Sequence, residues 1–411
     1  MNVQAYSKFI SWKMLVWLFI IQLFIAFVGR SIAPLGLVIG EDLHLTKAQI
    51  GMFPAALFLG QAIISIPSGI VTDKIGSRKM ILFITLLLGT TFFVISVTQS
   101  FILLLIFIVF AGFAYGASHP TTNRGIVYWF PQQMRGTAMG LKQMGVTLGS
   151  ASAALILLPI ASNYGWQTAT LFASVSLLVV GIFIYFVYKE PENNQLEQDN
   201  QTKEKINLAQ IFQLFKHKIL VLITISAMLL SGTQMILNTF IILFAYEKIG
   251  LTLIVAGTLL IIAELGGSLG RICWGIISDR IFKGKRIIVL LLISMIVAVV
   301  SMIIALLPSG TPFFILAIIV FIFGFGTSGF NGIWMNATTE IVEPTQSGVA
   351  TGFSITFSSL GAVLFPPIFG SVVDYTGSYT GGWLFVTVLM IVSMITLTII
   401  INKVKHRSKI I

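Results

Sequence analysis

The sequence predicts an all-α integral membrane protein whose twelve transmembrane helices form two six-helix bundles around a central cavity. The first reason is composition: 56% of the 411 residues are hydrophobic and only 9% are charged, whereas roughly a quarter are charged in a soluble domain. The second is the recurrence of apolar runs at the ~20-residue length that a ~30 Å hydrocarbon core requires. The third is a long polar stretch that separates two similar halves. This composition excludes water-soluble enzyme folds, so no enzymatic activity is expected.

The first apolar run defines the N-terminal helix. Lys8 and Lys13 precede an apolar stretch from Met14 to Ile39, which is too long for a signal-peptide core and has no small-residue cleavage site. We therefore expect it to be retained as the first span. Breaks between the apolar runs place the spans, in order, at about 14–39, 48–72, 80–98, 101–129, 137–161, 167–188, 219–246, 252–278, 287–307, 312–338, 347–373 and 381–402.

The polar stretch after the sixth span predicts three parts: an N-terminal bundle at 1–188, a cytoplasmic linker at 189–218 and a C-terminal bundle at 219–411. Among the loop residues, only Lys47 and Lys248 fall on one side of the membrane, and the other basic residues lie on the side of both termini. The positive-inside rule makes that side the cytoplasm. We expect an integral plasma (inner) membrane protein whose net charge of +11 reflects topology and contact with lipid headgroups, and we expect no nucleic-acid partner.

Several kinds of site have no support in the sequence. Cys273 is the single cysteine, so one chain can form neither a disulfide framework nor a thiolate cluster. The four histidines are scattered without metal-ligand spacing, and no glycine-rich nucleotide-binding loop appears. We therefore expect no metal, no cofactor and no ATP hydrolysis by this chain.

The two halves repeat a loop. "GIVTDKIGSRK", at 69–79 after the second span, matches "GIISDRIFKGKR", at 275–286 after the eighth. "RGTAMG" at the start of the fifth span likewise matches "SGVATG" at the start of the eleventh. Two similar six-helix bundles normally hold a central site between halves that rock against each other.

On these residues the sequence resembles the major facilitator superfamily, over essentially the whole chain. The family's loop, Gly-x-x-x-Asp-Arg/Lys-x-Gly-x-Arg-Lys, is matched in the first half, and the second half keeps its first glycine and its Asp-Arg pair. The resemblance implies a monomeric secondary transporter that works by alternating access, with the loops gating the cytoplasmic side. The gating candidates are Gly69, Asp73, Arg78, Gly275, Asp279 and Arg280.

Within the superfamily, "NRGIVYWFPQQMRGTAMG" is similar to the segment joining spans 4 and 5 in the anion:cation symporters, which carry sugar acids and other organic anions. "GRICWGIISDR" resembles monocarboxylate and oxalate/formate transporters. These branches share an anionic substrate. Two residues depart from the symporter pattern, since Gly29 and Tyr115 stand where that branch has acidic residues. Proton coupling through these two positions is therefore not expected.

The charges inside the spans lead to the same substrate class. A charge at the bilayer centre costs at least ~2.5–3.5 kcal/mol on insertion scales, so such residues usually face a cavity or a partner. Four basic residues lie within the spans against one acid, Glu264, which predicts an anion site. Its candidate residues are Arg30, Arg124, Lys142, Gln143, Arg271 and Tyr115. The alternatives are that Arg124 and Lys142 reach lipid phosphates and that Arg271 pairs with Glu264.

Glu264 is the candidate for proton coupling because it is the sole carboxylate deep in a span; the alternative is a static ion pair with Arg271. His119 is the other candidate titrating group. The expected function is import of a small organic anion together with protons. The alternatives are a proton-independent anion exchanger, a drug/proton exporter and a membrane sensor that transports nothing.

Overall fold

The computed structural model describes residues 8–190, 216–342 and 347–408. The first half contains six helices: α1 (Lys8–Gly29), α2 (Ile32–Asp42), α3 (Lys47–Ile75), α4 (Ser77–Val97), α5 (Phe101–Trp129) and α6 (Gln132–Val187). The second half contains α7 (Lys218–Phe244), α8 (Leu253–Ile276), α9 (Arg286–Leu306), α10 (Phe313–Thr327), α11 (Phe330–Glu340), α12 (Ser347–Thr376) and α13 (Tyr379–Ser408). π-helical turns at Ala245–Ile249 and Ile277–Ile281 extend α7 and α8.

The chain divides into two compact units. Unit 1 comprises Met1–His44 and Ala56–Thr202, and unit 2 comprises Leu45–Ala55 and Lys203–Ile411. The predicted linker at 189–218 falls almost entirely outside the described residues. The start of α3 thus groups with unit 2, whereas the rest of α3 belongs to unit 1.

Eleven helical segments in the described ranges are long and apolar enough to cross a membrane. One of them, Met134–Val187, has 54 residues and corresponds to two predicted spans, because a bilayer needs only about 20 helical residues. The break between the two lies at Gly165, whose φ of 84° and ψ of 155° are not helical. Glycine adopts positive φ without the steric penalty of a Cβ, so this residue lets the chain turn back.

Two predicted spans are interrupted by turns that the sequence did not predict. The first span is divided by a short turn at Arg30 and Ser31, between α1 and α2. The tenth is divided by a turn at Ser328 and Gly329, between α10 and α11. Irregular backbone at membrane depth is tolerated only where protein buries it or where it lines a cavity. Both turns are therefore places where polar side chains are expected to gather.

Glycines bring the helices of each unit into backbone contact. In unit 1, a Cβ on Gly145 would lie 2.9 Å from the carbonyl oxygen of Phe19, and a Cβ on Gly149 would overlap the carbonyl oxygen of Leu23. In unit 2, a Cβ on Gly324 would overlap the backbone of Ala263. Small residues at such points let transmembrane helices approach closely, so α1 packs on α6 and α8 packs on α10.

A carboxylate caps the start of α3. The Asp374 side chain accepts hydrogen bonds from the backbone N–H groups of Lys47 and Ala48, at 2.9 and 2.8 Å. The Lys47 ammonium pairs with Glu247, which also accepts a hydrogen bond from the Tyr379 hydroxyl at 2.8 Å. These contacts lie within unit 2 and hold the first turn of α3 to its other helices.

Removing this cap is expected to destabilise the protein measurably. Asp374→Ala leaves two N–H groups of the first turn without their acceptor, which typically costs about 0.5–2 kcal/mol. Asp374→Asn keeps one acceptor oxygen and is the matched control. Thermal unfolding in detergent should show a lower Tm for the alanine variant than for the asparagine variant. Equal Tm values for Asp374→Ala and the wild type would contradict the capping role.

Candidate functional site

Arg30 lies at the break of the first span and is held by a tyrosine. Its Nε donates a hydrogen bond to the Tyr115 hydroxyl at 2.9 Å. Tyr115 is 1% exposed, and its ring packs edge-on against His119, with 5.9 Å between centroids. The phenol is a neutral partner that orients the guanidinium.

The two departures from the symporter pattern touch each other. A Cβ on Gly29 would lie 2.7 Å from Cδ2 of Tyr115, so a larger residue at position 29 would meet the ring. The glycine makes room for the tyrosine, and the tyrosine hydroxyl reaches Arg30. Gly29 and Tyr115 therefore act together, and the contact places an uncharged group beside Arg30.

Lys142 is buried inside unit 1. It is 1% exposed, and its Nζ donates to Oδ1 of Asn123 at 2.7 Å and to Oγ1 of Thr122 at 3.3 Å. Thr122 in turn donates to Oε1 of Gln22 at 3.1 Å. We call Lys142, Asn123, Thr122 and Gln22 the Lys142 cluster. Its ammonium points into the unit and away from lipid, which disfavours the alternative that Lys142 reaches headgroup phosphates.

The Lys142 cluster exists because α1 and α6 approach closely. Gly145 lies one turn beyond Lys142, and a Cβ there would lie 3.5 Å from Cβ of Gln22. The amide Nε2 of Gln22 and Oε1 of Gln143 are buried and have no hydrogen-bond partner among the described residues. Buried polar atoms are nearly always satisfied, so these two amides offer a donor and an acceptor inside unit 1.

Arg124, by contrast, is tied to the gating loop. Its NH1 lies 3.5 Å from Oδ1 of Asp73 and donates to the backbone carbonyl of Thr72. Its Nε donates to the Tyr128 hydroxyl at 2.6 Å. The structure does not bring Arg124 into the Lys142 cluster, and its predicted role in substrate binding stays a prediction.

The other gating candidates lie in the two repeated loops and contact neighbouring helices to different extents. Nε of Arg78 donates to the carbonyl of Tyr185 at 2.7 Å, and the Glu190 carboxylate accepts from the backbone N–H of Ser77, where α4 begins. In the second copy, Asp279 pairs with Arg286. Glu340 also pairs with Arg286, at 3.2 Å, and Arg280 is exposed. A Cβ on Gly69 would lie 3.9 Å from Cβ of Pro120, and a Cβ on Gly275 would meet nothing within 4 Å.

In unit 2, polar side chains lie around the turn at Ser328 and Gly329. Nε of Arg271 donates to the carbonyl of Ser328 at 3.2 Å, and Gln234 donates to the Ser328 hydroxyl at 2.8 Å. Glu264 is 2% exposed, and its Oε1 accepts from Nδ2 of Asn238 at 3.3 Å. At this turn, the backbone carbonyl of Ser328 is therefore available to accept the hydrogen bond from Arg271.

The sequence identified the charged candidate residues in both units, but it did not identify the neutral side chains beside them. These are Gln22, Thr122, Asn123, Gln234 and Ser328. Intramembrane amides and hydroxyls usually serve helix packing, so no local signal separates them from the rest. In the described part of the chain, no group of three His, Cys, Asp or Glu residues is arranged to hold a metal ion.

A family model described as Major Facilitator Superfamily matches residues 18–320 and 290–410. The chain belongs to the Major Facilitator Superfamily. The predicted membership and fold class are therefore confirmed. The chain is therefore a member of a transporter superfamily and not an enzyme, as expected.

Among its relatives, the chain is 22% identical to the hexuronate transporter of Bacillus subtilis over 363 residues, covering 84% of each chain. It is 24% identical over 375 residues to the membrane sensor protein UhpC of Escherichia coli, covering 87% of this chain and 84% of that one. A solved bacterial homologue of the human lysosomal transporter Spinster, inward-facing and occupied, has a TM-score of 0.76 at 17% identity and covers 98% of each chain. The last likeness shows the fold alone.

Proposed function

We propose that this superfamily transporter imports a small organic anion together with protons, by alternating access, across a plasma (inner) membrane with both termini in the cytoplasm. The observation that carries the proposal is the burial of Lys142 among neutral partners. A charged side chain out of water is unfavourable unless a counter-charge accompanies it. A substrate carboxylate would supply that counter-charge.

Arg30 supports the same substrate class. Its Nε donates a hydrogen bond to the Tyr115 hydroxyl, and this contact orients the guanidinium. A planar guanidinium held in one orientation is suited to bind a carboxylate through two hydrogen bonds. We assign anion binding in unit 1 to Arg30 and Lys142, with Gln143 and Tyr115 as neutral hydrogen-bonding groups. The hexuronate transporter among the relatives supports a sugar acid as the first compound to test.

The substrate class can be tested by the thermal stability of the purified protein. A ligand that binds only the folded state raises Tm with concentration. Glucuronate, tartrate, lactate and sulfate are compared with uncharged glucose, each with the wild type and with Lys142→Met. We expect Tm to rise with one class of carboxylate and the rise to be lost in the variant. No Tm rise with any anion would contradict the proposal and favour a drug/proton exporter.

For unit 2, we propose that Glu264 carries a coupling proton. It is buried, its Oε1 accepts a hydrogen bond from the Asn238 amide, and it is the sole carboxylate deep in a predicted span. Glu264→Gln mimics the protonated form, so this variant should still bind the anion but accumulate less of it under a pH gradient in proteoliposomes. Accumulation equal to that of the wild type would contradict the coupling role and favour proton-independent exchange.

A second candidate function is membrane sensing, which the similarity to UhpC favours. A sensor would bind the anion and show the same Tm rise, but it would not move the anion across a membrane. Transport in reconstituted vesicles therefore separates the two candidates.

A further inference from the structure

We propose that Lys142 is neutral in the empty carrier and takes up a proton when the anion binds, so that unit 1 itself links anion and proton. This inference rests on the proposed anion transport and adds a second proton-binding position to the one assigned to Glu264. The Lys142 side chain is buried, and the described hydrogen bonds of its Nζ go to an amide oxygen and a hydroxyl.

No ion pair to Lys142 is found among the described residues. Several ionisable side chains on or beside the helices that pack against α6 have other described contacts. Arg124 pairs with Asp73, Arg30 bonds to Tyr115, Asp42 accepts from Trp166, Arg78 bonds to Tyr185 and His119 packs against the Tyr115 ring. On α6 itself, Arg135 bonds to the carbonyls of Phe130 and Val127. The other acidic and basic side chains on these helices are Lys8, Lys13, Glu41 and Lys79.

The neighbours of Lys142 accept the neutral and the charged form equally well. An amine and an ammonium both donate hydrogen bonds, so Asn123 and Thr122 are satisfied in either state. Only the ammonium requires a counter-charge in a buried site. Thr122 also links Lys142 to Gln22, whose Nε2 has no partner among the described residues. An arriving carboxylate would find a donor in that amide and a counter-charge partner in the protonated lysine.

The consequence is an affinity that depends on pH in a defined direction. If one proton is taken up with each anion, affinity for a permanently ionised carboxylate falls about tenfold per pH unit while Lys142 is neutral in the empty state. Arginine is charged at every accessible pH. Lys142→Arg should therefore bind the anion with little dependence on pH, and Lys142→Met should not bind it.

A first measurement needs no substrate. A lysine that is neutral in the folded protein takes up its proton only on unfolding, so the Tm of the empty wild type should fall as pH is lowered from mildly alkaline values toward neutrality. In Lys142→Met this part of the pH dependence should disappear, whereas Lys13→Met, which alters an exposed lysine on α1, should retain it. Identical pH profiles for the wild type and Lys142→Met would overturn the inference, whatever the substrate.

The second measurement uses glucuronate and, should it not bind, tartrate, lactate and sulfate in turn. Binding to the wild type that weakens with rising pH, together with pH-independent binding to Lys142→Arg, supports the inference. Loss of the pH dependence in Glu264→Gln with its retention in Lys142→Arg would assign the proton to Glu264 and overturn it. Absence of binding by any anion to the wild type would contradict the proposed function instead, while the substrate-free profiles would still decide the state of Lys142.

Discussion

Tyr115→Glu is expected to weaken anion binding at least tenfold at neutral pH and to recover part of it at acidic pH. A carboxylate at this position would lie beside Arg30, whose Nε now bonds to the Tyr115 hydroxyl. An ionised glutamate would compete with the substrate carboxylate for Arg30, and protonation of the glutamate would end that competition. Anion-dependent Tm shifts at the two pH values measure the effect.

The control for this variant is Tyr115→Gln, which has the size of glutamate and no charge. Both variants lose the aromatic ring that packs on Gly29 and His119, so any cost of lost packing is shared. Only the glutamate variant should show the pH-dependent loss. Equal anion binding by the two variants at both pH values would show that the charge on Arg30 has no part in binding.

Gly149→Ala is expected to destabilise unit 1 by about 1–3 kcal/mol, the usual cost of inserting a methyl group into a well-packed contact. The added Cβ would overlap the carbonyl oxygen of Leu23, and backbone cannot move aside as the tip of a side chain can. Because the contact between α1 and α6 also sets the distance from Gln22 to Lys142, anion binding should weaken together with Tm.

Gly140→Ala is the matched control on the same helix, since a Cβ there would meet nothing within 4 Å. This substitution should leave Tm unchanged or slightly raised, because alanine favours the helix over glycine. A loss of stability of the same size in both variants would show that the effect does not come from the contact between α1 and α6.

The sequence was sufficient for the fold because hydropathy and the repeated loop report the same architecture. Apolar runs of membrane length gave the spans, and the matching loops at 69–79 and 275–286 indicated two related halves. It was not sufficient for the helix breaks. The turn at Arg30 and the turn at Ser328 interrupt apolar runs, and their stability depends on side chains from other helices, such as Arg271.

For the candidate site, the sequence indicated which residues carry charge and not what they contact. Arg124 and Lys142 looked alike in the sequence, as basic residues near the ends of neighbouring spans. In the structure Arg124 meets Asp73, whereas Lys142 meets Asn123 and Thr122. The difference arises from the packing of α3, α5 and α6, which hydropathy does not encode. The same holds for Tyr115, whose contact with Gly29 joins two departures that were separate in the sequence.

Counterflow in proteoliposomes tests the central claim most directly. Vesicles holding the purified wild type are loaded with glucuronate, or with each other carboxylate that raises Tm, and diluted into a trace of the labelled compound. We predict transient accumulation of the label by the wild type and none by Lys142→Met. A wild type whose Tm rises with the anion but which shows no counterflow would contradict transport of that anion and favour a sensor.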